Sequence, residues 1–398
     1  MDLTRDLVRS QFLARFARFP ETVARAPGRV EFIGNHTDYN GGAVLGAAID
    51  RHVWVAAARG EEGCLRFSSG EAGEIVVVDA SVPGSMAATW PRWIDYPLGV
   101  WRSLGALGYS RPASFDLLVL SDLPMGAGLS SSAALELATA LALLEIGGSG
   151  PVTPATLAAI GRHAENVHVG VPCGILDQGT CALGAPDHLV HIDCRGPVFT
   201  RVRIPAEARL WVFDTHEKHA LVDGLYAERH RECTAAARTL GVEWLAQLAP
   251  ADLARVAGIL AQPALRRVRH VVEENARVAA AVAALQGGDL RAAGSLLTAS
   301  HASSRDLFEN STPALDSLVR LLAGHPRVLG ARLTGGGFGG AVLALTGRDF
   351  SVDDAEAIAG AQARRGFRRP PILGLRTAAG AGVVEAGSAP RPAQGRRD

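Results

Sequence analysis

Apolar residues recur at helical spacing from the start of the chain. Leu3, Leu7, Phe12, Leu13 and Phe16, with arginines between them, predict an amphipathic helix over residues 3–18, ended by Pro20. The run Ala26-Pro-Gly-Arg-Val-Glu-Phe-Ile-Gly then predicts a strand entering a polar turn, Asn35-His-Thr-Asp-Tyr-Asn-Gly-Gly. Strand-like stretches follow at 43–49, 52–57 and 74–78, and a helix rich in tryptophan at 90–107. A strand-like run from Phe115 leads through Leu123-Pro-Met-Gly-Ala-Gly-Leu-Ser-Ser-Ser-Ala-Ala into a long apolar helix. Beyond a loop at 147–154, residues 156–169 read as a helix, and 189–193 and 210–214 as strands. From about 220 to 320 the pattern is helical, at 221–240, 264–285, 290–300 and 314–322. Strands at 328–334 and 341–345 flank Gly335-Gly-Gly-Phe-Gly-Gly.

Length and composition set the scale. A chain of 398 residues, 48% hydrophobic and 20% charged, can bury ample core and suggests two domains. The composition marks no clean boundary. We expect one where mixed α/β gives way to the helical stretch, giving domains at 1–200 and 201–386 and a disordered Pro/Gly/Arg-rich tail at 387–398. Lys+Arg and Asp+Glu both number 40, a balance that points to neither a nucleic-acid nor a membrane-surface partner. The five cysteines are irregularly spaced without a Cys-x-x-Cys, which fits a reduced, cytoplasmic setting better than a disulfide framework or a zinc site. No apolar run approaches the ~20 residues needed to span a bilayer.

The chemistry concentrates in the glycine/serine loop. Glycines let an anion approach the backbone, and serines suit a helix N-terminus, where free N–H groups and the dipole attract negative charge. Strand, Gly/Ser loop and helix start together form a candidate phosphate cradle; an ordinary capped turn is the plainer alternative. It is not a Walker A loop, because no Gly-Lys-Ser/Thr is present and the only lysine is Lys218. Asp177 lies in an otherwise apolar and small-residue segment, where an uncompensated carboxylate is costly.

Three stretches in order carry a resemblance. Gly28-Arg-Val-Glu-Phe-Ile-Gly-Asn-His-Thr-Asp-Tyr-Asn-Gly-Gly resembles the galactokinase signature. Leu123 to Ala134 resembles the ATP-phosphate loop of the GHMP small-molecule kinases, and Leu333-Thr-Gly-Gly-Gly-Phe-Gly-Gly-Ala their third motif. Pro172-Cys-Gly-Ile-Leu-Asp-Gln, Tyr226-Ala-Glu-Arg-His-Arg-Glu-Cys, Arg269-His-Val-Val-Glu-Glu-Asn and Ser300-His-Ala-Ser-Ser-Arg-Asp resemble galactokinase too. The likeness implies an α+β GHMP kinase fold: a ribosomal-S5-like α/β N-terminal domain and a ferredoxin-like C-terminal domain, with the site in the cleft between them.

The resemblance implies ATP-dependent phosphorylation of galactose at its C1 hydroxyl. By it, Asp177 orients or accepts the proton and Arg29 stabilises charge on the moving phosphoryl group. Asn35, His36, Asp38, Gly174 and Tyr226 are the sugar-binding residues it implies. Trp93, the loop Gly126, Ala127, Gly128, Leu129, Ser130, Ser131 and Ser132, and Gly336 and Gly337 would hold ATP. Ser132 and Glu165 would hold Mg²⁺, although Glu165 read alone is a solvated helix-face carboxylate. Partners would be the small-molecule sugar and ATP, and the chain a monomer or weak dimer.

Two positions depart from the family pattern. Asn35 stands where the family has a glutamate that accepts from the galactose C6 hydroxyl, and an amide has lost that charge and gained two donors. Gly179 stands where an aromatic is usual, which would loosen the pocket wall. These leave open a C6-variant or related sugar (galacturonate, D-fucose, L-arabinose or N-acetylgalactosamine) as the acceptor. A non-catalytic galactose/ATP sensor is a further alternative, disfavoured by the intact Ser132-Ala133-Ala134, Arg29 and Asp177.

Overall fold

The strand over residues 26–34 extends to β1 (Thr22–Ile33), almost wholly buried, and it runs antiparallel to β2 (Ala43–Arg59). The two predicted strands at 43–49 and 52–57 are one, because half-buried Asp50 and Arg51 interrupt the apolar pattern without breaking the strand. A computed structural model describes residues 3–70, 73–81, 90–124, 128–218 and 222–385. The expected disordered tail at 387–398, with Gly126 and Ala127 of the loop, lies outside the described residues.

Before β1 runs α1 (Arg5–Phe16), whose N-terminus is capped by the Thr4 hydroxyl and whose Val8, Phe12 and Phe16 are buried. After β2 come β3 (Cys64–Ser69), β4 (Val76–Asp79), α2 (Asp95–Ala106) and β5 (Phe115–Ser121). Three helices follow: α3 (Ser131–Gly147), α4 (Pro154–His163) and α5 (Leu176–Leu183). Strands β6 (His188–Asp193) and β7 (Val198–Arg203) complete this half. Helix α3 is buried nearly all round and lies against β1 and β2, the core of the first half.

The second half begins with β8 (Arg209–Lys218) and a helical stretch. Its helices are α6 (Val222–Leu240), α7 (Leu253–Ala257), α8 (Ala264–Gln286), α9 (Leu290–Ser303) and α10 (Pro313–Ala323). Then come β9 (Val328–Thr334), β10 (Gly339–Thr346), α11 (Val352–Arg364), β11 (Ile372–Leu375) and β12 (Gly382–Glu385). The smaller sheet runs β11-β8-β10-β9, the order of a ferredoxin-like domain.

The larger sheet runs β12-β1-β2-β5-β3-β4, with β6 paired to β2 and to β7. The expected boundary after residue 200 therefore falls inside β7, a strand of the first half. The last strand also returns to the first half, since β12 pairs with β1. Both departures have one cause: strand pairing is non-local, and a composition shift does not register it.

Candidate active site

Beta strand β1 carries Arg29 into the bottom of a cleft between the two halves. Its backbone N–H donates to Leu129 O at 3.0 Å, which ties the strand to the glycine/serine loop. The guanidinium donates from Nε to Asp177 Oδ1 at 2.8 Å and from Nη1 to Gly128 O at 2.7 Å. Burial alone would lower its pKa, and the Asp177 carboxylate outweighs this and raises it. Asp177 lies in the first turn of α5 and is half-buried. Its other oxygen, Oδ2, accepts from the Ser130 hydroxyl at 2.6 Å. Ser130 precedes α3 with φ +56 and makes no cap of its own, because its hydroxyl is turned to Asp177. The carboxylate is thus held from both sides, in the first turn of α5.

A cavity of about 320 Å³ opens over this pair, and Glu31, Asn35, His36, Asp38, Glu165, Gly174, Tyr226 and Gly336 are among the residues that line it with Arg29. The polar turn shapes it through a single helical turn at Asp38–Asn40. Asp38 lies against the chain at Gly174, where an added Cβ would fall 1.9 Å from Asp38 Oδ2, so only glycine admits this approach. Burial, with Asp177 and Glu31 nearby, raises the Asp38 carboxyl to about 7. His36 donates from Nε2 to Gly336 O at 2.9 Å and accepts at Nδ1 from the Tyr39 hydroxyl at 2.8 Å. Burial pushes its ring down to about 3, so it stays neutral and buttresses the wall. Its ring lies 5.1 Å from that of Tyr226 on α6.

Asn35 lines the cavity, yet its amide is committed within the protein. Its Nδ2 donates to Gly335 O at 2.9 Å and, at 3.2 and 3.3 Å, to the two Glu31 oxygens. Its Oδ1 accepts from Ser304 at 3.1 Å and from Asn310 at 2.8 Å. A side-chain amide has two donors and two lone pairs, and all are used. Gly179 does not loosen the cavity: it is buried beside α5, where an added Cβ would meet Ile192 and the Phe199 ring at 2.7 and 2.8 Å. Phe199 occupies the space that an aromatic at 179 would fill, on the side away from the cavity lining.

Glu165 projects from a π-helical turn, Ala164–Val169, that continues α4, so the last six residues of the predicted 156–169 helix depart from α geometry. It is buried, hydrogen-bonded by Ser132, and raised to about 7 by desolvation and by Asp177. Gln178 Nε2 donates to Glu165 Oε2 at 2.6 Å and to Glu136 Oε2 at 3.0 Å. Among the described residues no group of three or more His, Cys, Asp or Glu is arranged to hold a metal. A buried carboxylate with a hydroxyl beside it, facing a phosphate loop, does fit a Mg²⁺ ion whose other ligands are phosphates and waters.

The third motif closes the cleft from the second half. The β9–β10 turn carries Gly336 on the cavity wall, and Gly337 takes φ +79, where an added Cβ would lie 2.3 Å from Asn310 O. Leu129 is buried, Ser131 half-buried and Gly128 exposed at the mouth of the loop. Trp93 packs edge-on against Phe67 at 6.4 Å, and it is the preceding Arg92 that lines the cavity. Sequence reasoning overlooked Glu31, Gln178, Arg332 and Asn310. The available signal was Glu31 itself, an acid inside the apolar run Val30-Glu-Phe-Ile, where it must find a use.

The comparisons set the class first. Residues 95–185 match the N-terminal domain of the GHMP kinases and residues 281–365 their C-terminal domain. Mevalonate kinase of Methanococcus jannaschii shares the fold, with a TM-score of 0.62 at 18% identity over 90% of this chain and 98% of that one. Within that class, residues 10–59 match the galactokinase galactose-binding signature. The galactokinase of Thermotoga petrophila is 41% identical over 81% of this chain and 88% of its own. That of Streptomyces coelicolor is 40% identical over 93% and 97%. A Lactococcus lactis galactokinase complexed with galactose superposes with a TM-score of 0.89 at 28% identity, covering 95% of this chain and 99% of that one. The chain belongs to the galactokinase family, an ATP-dependent family of GHMP kinases. No helix among the described residues is long and apolar enough to cross a membrane.

Proposed function

We propose that this enzyme transfers the γ-phosphoryl group of ATP to the C1 hydroxyl of galactose. The observation that carries the reading is the Asp177 carboxylate, fixed between Arg29 and Ser130 at the base of the cavity. Phosphoryl transfer asks little covalent chemistry of a protein; it asks for position and for charge opposite the moving group. Asp177 holds the acceptor hydroxyl and takes up its proton as the new O–P bond forms and the bond from the γ-phosphorus to the bridging oxygen breaks, releasing ADP. Arg29 pairs with the Asp177 carboxylate and faces the phosphoryl oxygens. Backbone N–H groups at the start of α3, with Ser130, Ser131 and Ser132, hold the nucleotide phosphates, and the Gly336–Gly337 turn covers them. Ser132 and Glu165 would hold Mg²⁺, which would supply charge neutralisation for the phosphates. Asp38 accepts hydrogen bonds from neighbouring ring hydroxyls, and Tyr226 completes that wall. Likeness to the three galactokinases named above supports galactose over other acceptors.

The test is ADP release with ATP and Mg²⁺ against galactose, galacturonate, D-fucose, L-arabinose and N-acetylgalactosamine. Galactose is expected to give the highest kcat/KM. Asp177→Ala is expected to lower kcat by about 10²- to 10⁴-fold, the usual worth of a positioned general base. A different preferred sugar, or an Asp177→Ala enzyme with unchanged kcat, would defeat the reading.

A further inference from the structure

The cavity holds a carboxylate that the proposed mechanism leaves without a task. Glu31 is on β1, two residues beyond Arg29, and its side chain lines the same cavity. It is 2% exposed. Main chain and side chain are both fastened to β9: the Glu31 N–H donates to Thr334 Oγ1 at 2.9 Å, and Arg332 Nη1 lies 3.1 Å from Glu31 Oε1. Burying a carboxylate is costly, and strand apolar neighbours Val30 and Phe32 offer it nothing.

Its hydrogen bonding is incomplete. Asn35 Nδ2 has two hydrogens, one of which goes to Gly335 O, so the Glu31 oxygens share the other. Oε1 also has Arg332; Oε2 has only that shared Asn35 contact. A carboxylate offers about four lone-pair sites, so Oε2 keeps acceptor capacity on the cavity side. Asn35, by contrast, has none left.

Position decides which group it meets. Residues two apart on a strand face the same way and are separated by roughly 6–7 Å. Arg29 marks the end of the cavity where the acceptor hydroxyl lies, so Glu31 stands about the width of a substituted hexopyranose away. Asp38 is placed on the flank beside Gly174, whereas Glu31 and Asn35 are on the side of Gly335 and Gly336. The hydroxyls at C2 to C4 run along one edge of the pyranose and the hydroxymethyl stands on the ring-oxygen edge, so with neighbouring ring hydroxyls on Asp38 the group left to the Glu31 side is the hydroxymethyl.

We infer that Glu31 is a specificity-determining residue that accepts a hydrogen bond from the C6 hydroxyl of the sugar, with Asn35 serving to hold Glu31 in place. The inference rests on the galactose 1-kinase reading above. Asn35 then marks a relocation of the carboxylate along β1 and not its loss. The negative charge of Glu31 also turns away a sugar with a carboxylate at C6.

Steady-state kinetics with galactose and 6-deoxygalactose (D-fucose) test this on the full-length enzyme. In the wild type, galactose is expected to have the lower KM by about tenfold or more, the worth of one hydrogen bond to a charged acceptor. Glu31→Gln is expected to raise KM for galactose by a similar factor, to leave KM for 6-deoxygalactose nearly unchanged, and to change kcat little, since C6 is remote from the reacting oxygen. Glu31→Asp keeps the charge opposite Arg332 but draws it back from the cavity. It is expected to narrow the preference in the same way, and it carries the test if the glutamine variant does not fold. Equal KM shifts for both sugars, or none, would overturn the role of Glu31 while leaving the kinase reading intact. A wild-type enzyme that releases no ADP with galactose would overturn both.

Discussion

Asp38 shows what a buried carboxyl on the cavity wall costs the fold. In the unfolded chain its carboxyl has an ordinary pKa near 3.8, and burial in the cavity beside Asp177 and Glu31 raises it to about 7. A group raised on folding adds stability at low pH, and that contribution disappears as pH climbs through the folded value. Asp38→Asn is therefore expected to raise the melting temperature of the ligand-free protein more at pH 8 than at pH 5. Calorimetry at the two pH values checks it, and an equal shift at both would mean that the charge is not the cause. The same ionisation governs sugar capture, because the ionised form accepts two hydroxyls. For the wild type kcat/KM for galactose is expected to climb between about pH 6 and 8 and then level off. At this scale much of the site was legible. Arg29, Asp38, Gly174, Asp177 and Tyr226 lie in segments whose order along the chain is informative, and the fold gathers them around one cavity. The contribution of Glu31 was not legible. An acid in an apolar strand announces that it has a partner, but Arg332 and Thr334 lie on a strand at the other end of the chain.

Strands and turns join the two halves through a seam between β1 and β9. Thr334 Oγ1 accepts from the Glu31 N–H at 2.9 Å and donates to Glu31 O at 3.1 Å, and Arg332 Nη1 reaches the carbonyls of Glu31 and Phe32. Thr334→Val keeps the shape and removes both bonds of the hydroxyl. It is expected to cost about 1–3 kcal/mol in denaturant unfolding, the penalty of leaving buried backbone groups unpaired. A loss below about 0.5 kcal/mol would show that the seam does not depend on this residue. Legibility at this scale followed period. The long helices α3, α8 and α9 declared themselves by length and apolar content, whereas α5 lay hidden behind Pro172 and Gly174, and β3 and α11 behind weak alternation. The π-helical turns at Ala164–Val169 and Ser304–Phe308 leave no such trace, yet they deliver Glu165 and Ser304 to the site.

Across the whole molecule, the cleft draws on both halves, and β12 straps the end of the second onto the first by pairing Val23, Ala24 and Arg25 with residues 382–385. A chain ending at Ala381 lacks this strap. Its melting temperature is expected to fall by at least about 2 °C, and an unchanged value would make β12 dispensable. Nothing in the local sequence of residues 382–385 says which strand they join; that pairing is a property of topology, as was the continuation of the first sheet through β7. The strap also bears on how the protein is made. Synthesis runs from the N-terminus, and β1 emerges with its outer edge open until β12 leaves the ribosome almost a full chain later. Throughout translation the nascent first half therefore carries an unpaired strand edge at Val23, Ala24 and Arg25, a place for a chaperone to guard and for a stalled chain to aggregate.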